Sequence, residues 1–245
     1  MRLIRVKDYE ALSRRAADVI AAQVILKPAC VLGLATGSSP EGAYRHLIAR
    51  FEAGELDFSG VRTVNLDEYV GLLPDHPQSY AYFMRSRLFD HVNIKAENTH
   101  IPSGVASDPA EECGEYDALI RSLGGVDLQL LGIGPNGHIG FNEPGDALEA
   151  GTHVADLTSA TIQANKRFFE KEEDVPRQAF TMGVRDILQA RKILLVASGA
   201  NKADALCQAL RGPITTRVPA SLLQLHPDVT IIADEAACAQ LDRQG

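Results

Sequence analysis

The chain has 245 residues, 45% of them apolar, with 32 acidic against 24 basic side chains and a net charge of −8. That length and apolar content suffice for one large α/β domain, read as residues 1–245, with a substantial core. The acidic balance disfavours nucleic acid and anionic membrane as partners, so an anionic ligand must be held by local groups.

Charges interleave with the apolar residues of 1–8, which leaves no continuous signal-peptide core, and no apolar run approaches membrane-spanning length. Cys30, Cys113, Cys207 and Cys238 stand far apart without C-x-x-C spacing. This argues for reduced thiols in a cytoplasm and against a zinc or disulfide framework.

Residues 3–6 read as a first strand and residues 9–25 as a helix with apolar spacing and several alanines. The strand expected over 29–35 runs into Thr36-Gly37-Ser38-Ser39-Pro40-Glu41, and an amphipathic helix continues to about residue 51. Ser39 fits its N-cap and Pro40 its first helical position. Small hydroxyl residues and glycine at a helix N-terminus present free N–H groups and the positive dipole end, which suits a phosphate; capping alone explains Ser39 and Pro40 equally well. The Gly-Lys-Ser/Thr of a P-loop is absent.

Residues 61–66 predict another strand, which delivers Asp67-Glu68-Tyr69 at its carboxyl end, where open α/β sheets border their ligand crevice. Period-two alternation puts Asn65 and Asp67 on one face and Glu68 on the other. Asp67 is thus a candidate base and Glu68 a structural carboxylate, although an acid closing a strand is also a common turn former. A helix opens at Gln78-Ser79-Tyr80 and reaches about residue 89, a short weak strand covers 98–101, and a well-capped helix covers 108–123.

The densest stretch follows the strand expected over 126–131: Leu131-Gly132-Ile133-Gly134-Pro135-Asn136-Gly137-His138-Ile139-Gly140-Phe141-Asn142-Glu143-Pro144. Glycines let the backbone approach a ligand, while His138 and Glu143 put a proton-transfer group and a carboxylate in one loop. Gly132, Gly134 and Gly137 satisfy G-x-G-x-x-G, with Asp156 at the spacing of a ribose-binding acid. Pro144 and Gly145 come too soon for the helix that such a fingerprint needs, so dinucleotide binding is rejected. The plain alternative is a glycine-rich surface turn with an incidental histidine.

Beyond it, 152–157 reads as a strand or edge segment and 159–169 as a helix carrying Asn165, Lys166 and Arg167. The charged run 170–174 is a solvated boundary or the edge of a flap, and closure of 159–174 over a ligand is a further expectation. Residues 179–184 and 192–197 bracket a short helix, and the second run ends in Ser198-Gly199-Ala200-Asn201-Lys202. This is another small-residue turn before a helix N-terminus, here with a cation that suits an anion; a lysine on an exposed helix face is the plain alternative. A helix turn at 220–223, a strand over 228–233 and a closing helix over 235–241 complete the chain.

Asp67, His138, Glu143, Arg167 and Lys202 thus fall around small-residue turns and loops after strands. No H-E-x-x-H or paired-cysteine spacing exists, so neither a catalytic metal nor a cofactor is expected. A base, an oriented histidine and an anion pocket suit proton transfer next to the carbonyl of a phosphorylated sugar.

Several of these stretches together resemble the glucosamine-6-phosphate deaminase (isomerising) family. They are Leu32-Gly33-Leu34-Ala35-Thr36-Gly37-Ser38-Ser39-Pro40, Asn65-Leu66-Asp67-Glu68-Tyr69-Val70-Gly71-Leu72, His76-Pro77-Gln78-Ser79-Tyr80, residues 132–144, Ala164-Asn165-Lys166-Arg167-Phe168-Phe169 and Leu223-Gln224-Leu225-His226-Pro227. The resemblance spans about residues 31–232. It implies a single Rossmann-like α/β domain with a mostly parallel open sheet and helices on both faces. It also implies an enzyme that opens the pyranose ring of glucosamine 6-phosphate, moves a proton from C2 to C1 and expels ammonia to give fructose 6-phosphate.

On the matching positions, the resemblance makes Asp67 the base at C2, His138 the acid and base of ring opening, and Glu143 the group that orients and charge-balances that histidine. Ser38, Ser39, Arg167 and Lys202 would hold the phosphate, Thr36 and Gly37 would shape the turn, and Gly137 would approach the sugar. Some members carry aspartate where this chain has Asn136. An amide there can hydrogen-bond the imidazole or the substrate but adds no negative charge, so His138 is expected to titrate lower here.

Regulated members are hexamers activated by N-acetylglucosamine 6-phosphate. Gly151-Thr152-His153 offers no cluster of cations for such an effector, which points to an unregulated enzyme, monomeric or homo-oligomeric. The rivals are a 6-phosphogluconolactonase, a sugar-phosphate-sensing module of a transcription regulator, and a galactosamine 6-phosphate deaminase. Phe141-Asn142-Glu143-Pro144 and the run 65–72 favour a deaminase over the lactonase, and the acidic charge disfavours DNA-linked sensing.

Overall fold

Seven short stretches line up as the central sheet of the computed structural model, which describes residues 1–158, 162, 171 and 175–242. They are β1 (Arg2–Val6), β2 (Val31–Leu34), β3 (Arg62–Asn65), β5 (Thr99–His100), β6 (Leu128–Gly132), β9 (Ile193–Ala197) and β10 (Val229–Asp234). Their order is β1-β10-β9-β6-β2-β3-β5, and every neighbouring pair is parallel. β2 and β9 are buried at every residue, as continuous apolar runs in a covered parallel sheet are.

That order contains the feature that places the site. From β2 the chain moves outward through β3 and β5, then returns to β6 on the other side of β2 and proceeds to β9 and β10. The direction of winding therefore reverses between β2 and β6. A crevice opens at the carboxyl ends of the strands at such a reversal, because the flanking loops diverge to opposite faces. The loops after β2 and β6 are the two glycine-bearing turns of the sequence.

A second sheet was not legible in the sequence: β4 (Asp67–Tyr69), β8 (Gln178–Thr181) and β7 (His153–Asp156) pair antiparallel in the order β4-β8-β7. Leu66 joins the two sheets. Its N–H donates to the Leu34 carbonyl in the parallel sheet, and its own carbonyl accepts from the Met182 N–H just past β8. Asp67 therefore stands at the seam between them.

The helices are α1 (Tyr9–Leu26), α2 (Ser38–Glu52), α3 (Tyr80–Arg87), α4 (Pro109–Ser122), α5 (Val184–Leu188) and α6 (Ala203–Arg211). Asp8, Ser79 and Asp108 cap α1, α3 and α4 by accepting backbone N–H groups in their first turns. The closing helix expected over 235–241 is instead a run of turns. Its bonds alternate between i→i−4 (Cys238 N–H to Asp234 O) and i→i−3 (Leu241 N–H to Cys238 O), a pattern that does not propagate as an α-helix. Residues 220–223 belong to a 3₁₀ helix, Pro219–Leu225.

All four cysteines are buried and unpaired in disulfides. Among the described residues no helix is long and apolar enough to cross a membrane. The helix expected over 159–169, with Arg167, and the flap expected over 159–174 lie outside the described residues, save Ile162 and Lys171.

Candidate active site

A cleft of about 890 Å³ opens at the reversal. Residues 36–39 after β2, Asp67 after β3, residues 132–136 with His138 after β6, and Ser198, Asn201 and Lys202 after β9 all line it. Tyr9, Tyr80 and Phe141 complete its walls, so turns far apart in the chain share one rim.

One end is built for an anion. The N-cap of α2 is Gly37 and not Ser39: Gly37 sits at φ 87°, ψ −175°, a conformation that glycine alone adopts without strain, so the helix starts two residues earlier than the Ser-Pro signal suggests. Ser38 and Ser39 become its first two residues, and no side chain caps it. Their N–H groups thus have no intrahelical partner and lie at the positive end of the dipole. Tyr44 ties α2 to the strand end by donating to the Ala35 carbonyl at 2.6 Å.

Across the cleft, Asp234 at the end of β10 accepts the Ser198 hydroxyl, the Gly199 N–H at 3.1 Å and the Ala237 N–H at 2.8 Å, which fixes the turn leading to Lys202. Lys202 is half-buried and has no ion pair among the described residues, and burial lowers its pKa from the ordinary lysine value. A desolvated, unpaired cation facing an uncapped helix N-terminus favours a bound anion.

Asp67 occupies the other end. It is only 7% exposed, and its Oδ1 has no hydrogen-bond partner among the described residues. Burial first, and the charge of Glu68 second, push its pKa up to about 8. The aromatic rings that exclude water beside it are Tyr69 and Tyr80, 4.7 Å between centroids, and Phe141, stacked on Tyr80 at 6.2 Å. Glu68 points away and accepts the N–H groups of Tyr69, Tyr80 and Ala81 at 2.8–2.9 Å, so it is the structural carboxylate that alternation implied. Burial raises the pKa of the Tyr80 hydroxyl well above the ordinary tyrosine value, with the Tyr69 and Thr36 side chains among its neighbours. The sequence marked Tyr80 as opening a helix and as closing a stretch that carries the family resemblance, with no role at the site.

His138 lies between these ends. Its Nδ1 is 3.2 Å from Glu143 Oε1, at ion-pair distance but off the line of a hydrogen bond. Glu143 Oε2 accepts from Asn136 Nδ2 at 2.6 Å, and Asn136 Oδ1 accepts the His138 backbone N–H at 3.2 Å. Gly134 gives the ring its space, since a Cβ there would lie 2.4 Å from the imidazole. Gly137 does not line the cleft: it packs against Val218, and its carbonyl accepts the Ala220 N–H. Glu143 stands behind His138, outside the cleft lining. Among the described residues no helix follows β6 before β7, so the dinucleotide fingerprint has no helix to complete it.

Residues 7–232 match the family model described as glucosamine-6-phosphate isomerases/6-phosphogluconolactonase. The chain belongs to this family. A glucosamine-6-phosphate deaminase of Thermoanaerobacter pseudethanolicus is 56% identical over 239 residues, covering 98% of this chain and 94% of its own. One of Lachnoclostridium phytofermentans is 59% identical over 232 residues, covering 95% and 98%. A solved structure described as a monomeric glucosamine-6-phosphate deaminase superposes with a TM-score of 0.95 at 47% identity, covering 98% of this chain and all of that one. A 6-phosphogluconolactonase from Trypanosoma cruzi, at 19% identity and a TM-score of 0.79, shares the fold.

Within the glucosamine-6-phosphate isomerase family fold, Asn136 has a more specific place than the sequence suggested. Its amide faces the Glu143 carboxylate and not the imidazole. Aspartate there would set two carboxylates about where the 2.6 Å bond now stands, and such a pair shares a proton because both cannot ionise together. Asn136→Asp is therefore expected to add an ionisation to the pH–rate profile, above the ordinary carboxylate range. Superimposable profiles for the two proteins would contradict this arrangement.

Proposed function

We propose that this chain is a glucosamine-6-phosphate deaminase of amino sugar catabolism, working as one domain over residues 1–245. The observation that carries the reading is Asp67: a buried carboxylate whose Oδ1 has no hydrogen-bond partner among the described residues, lining the same cleft as His138, with an anion-binding end beside them. Four buried cysteines, none in a disulfide, fit a cytoplasmic setting.

In this reading the phosphate lies on the Ser38 and Ser39 N–H groups opposite Lys202, with Arg167 added from its matching position. His138, held by Glu143, moves protons between the ring oxygen and the anomeric hydroxyl, and the pyranose opens to the aldehyde. Asp67 then takes the C2 proton and returns it to C1, while one proton of the C2 ammonium passes to the aldehyde oxygen, which becomes the C1 hydroxyl. The amine-bearing C2 is left as an iminium, to which water adds and from which ammonia leaves, giving fructose 6-phosphate. A protonated amine on C2 brings a positive charge beside Asp67 and favours its ionised form, against the burial that favours the protonated one.

Incubation with glucosamine 6-phosphate is expected to release ammonia and fructose 6-phosphate in equal amounts. Absence of ammonia, together with hydrolysis of a sugar-phosphate lactone, would replace this reading with that of the lactonase branch.

A further inference from the structure

Tyr9, the first residue of α1, reaches into the first turn of α2. Its hydroxyl donates to the Ser38 carbonyl at 2.6 Å and accepts the Gly42 N–H at 2.9 Å. Carbonyl and N–H at this spacing are partners across one helical turn, so a single side chain from another helix clasps both ends of that turn. The clasp requires glycine at position 42. A Cβ there would lie 3.1 Å from the Tyr9 oxygen and 2.1 Å from Ser13 Oγ on the same face of α1.

The clasp compensates for a missing cap. Gly37 contributes no side chain, so no side-chain cap adds to the backbone hydrogen bonds of the first turn of α2. The Ser38 carbonyl and the Ser39 N–H belong to one rigid trans peptide and point in opposite directions. A hydroxyl that holds the carbonyl from behind thereby sets the direction of the N–H in front, toward the cleft that Tyr9 itself helps to line.

We propose that Tyr9 is a positioning residue for the phosphate group, acting through the Ser38 carbonyl on the Ser39 N–H. The inference rests on reading this end of the cleft as the phosphate site. Tyr9→Phe tests it, because the ring and its helix packing stay while only the hydroxyl goes.

The dissociation constant for inorganic phosphate, measured calorimetrically, and KM for glucosamine 6-phosphate are both expected to rise roughly 3- to 10-fold, with kcat within about twofold of wild type. A lower melting temperature with both constants unchanged assigns Tyr9 to packing alone and overturns the proposal. So does a fall in kcat at constant KM. Wild-type protein that binds no phosphate overturns the anion reading of the cleft itself, whereas equal phosphate binding by both proteins removes only the role of Tyr9.

Discussion

Asp67→Asn is expected to lower kcat by about 10³-fold while leaving substrate binding nearly intact, and to stabilise the fold at alkaline pH. Asparagine keeps the shape of the side chain but can neither take nor return the C2 proton, so exchange of that proton with solvent should stop. The stability effect follows from the same burial. The folded protein holds the Asp67 proton up to about pH 8, against an ordinary value of 3.8, so between those values it binds a proton that the unfolded chain releases. Stability from this group is full below the ordinary carboxylate range and is lost as pH rises through about 8. The asparagine variant escapes that loss, so above pH 8 its melting temperature should exceed that of the wild type. In the native enzyme kcat/KM should rise through about pH 8 as the base ionises, and thermal melts of both proteins across pH separate the two effects. Solvent exchange at the native rate in the variant would remove Asp67 from its role.

The strands that carry the site were legible because their signal is local. An apolar run ending in small residues, as at 29–39 and 192–202, shows both the strand and the turn that follows. Convergence was not legible in the same way: Leu32 pairs with Leu128, nearly a hundred residues on, and only the sheet order puts their loops on one rim. Segments at 152–157 and 179–184 were read near β7 and β8, but their antiparallel pairing with β4 escaped because β4 has only three residues, too few to establish a period, with Leu66 serving both sheets.

Two local rules competed at α2. The Ser-Pro signal favoured a cap at Ser39, while the left-handed backbone of Gly37 decided for the earlier start. Tyr9 read only as the start of a helix, because its hydroxyl partners lie on another element. Gly137 shows the converse. The resemblance put it near the sugar, while the fold itself needs glycine there, at φ 89° with Val218 in the space a Cβ would take.

The second large effect is expected at Glu143→Gln, with kcat reduced about 10²- to 10³-fold and KM little changed. The carboxylate offers one oxygen to the Asn136 amide and the other to His138 Nδ1. A carboxylate opposite Nδ1 keeps a proton on that nitrogen and leaves Nε2 able to accept one, the tautomer needed for a base. Glutamine has one oxygen and one NH₂ group. If its oxygen keeps the Asn136 bond, its NH₂ faces Nδ1, turns that nitrogen into an acceptor and moves the imidazole proton to Nε2. If it rotates, two NH₂ groups meet where a 2.6 Å hydrogen bond now stands. Either way one required contact is lost, and the negative charge beside the imidazole is gone as well. Asn136→Ala leaves the carboxylate and its charge in place, so it should cost much less than Glu143→Gln. Rates of ammonia release across pH compare the three proteins directly. A glutamine variant within tenfold of wild type would mean that His138 is oriented by something other than Glu143.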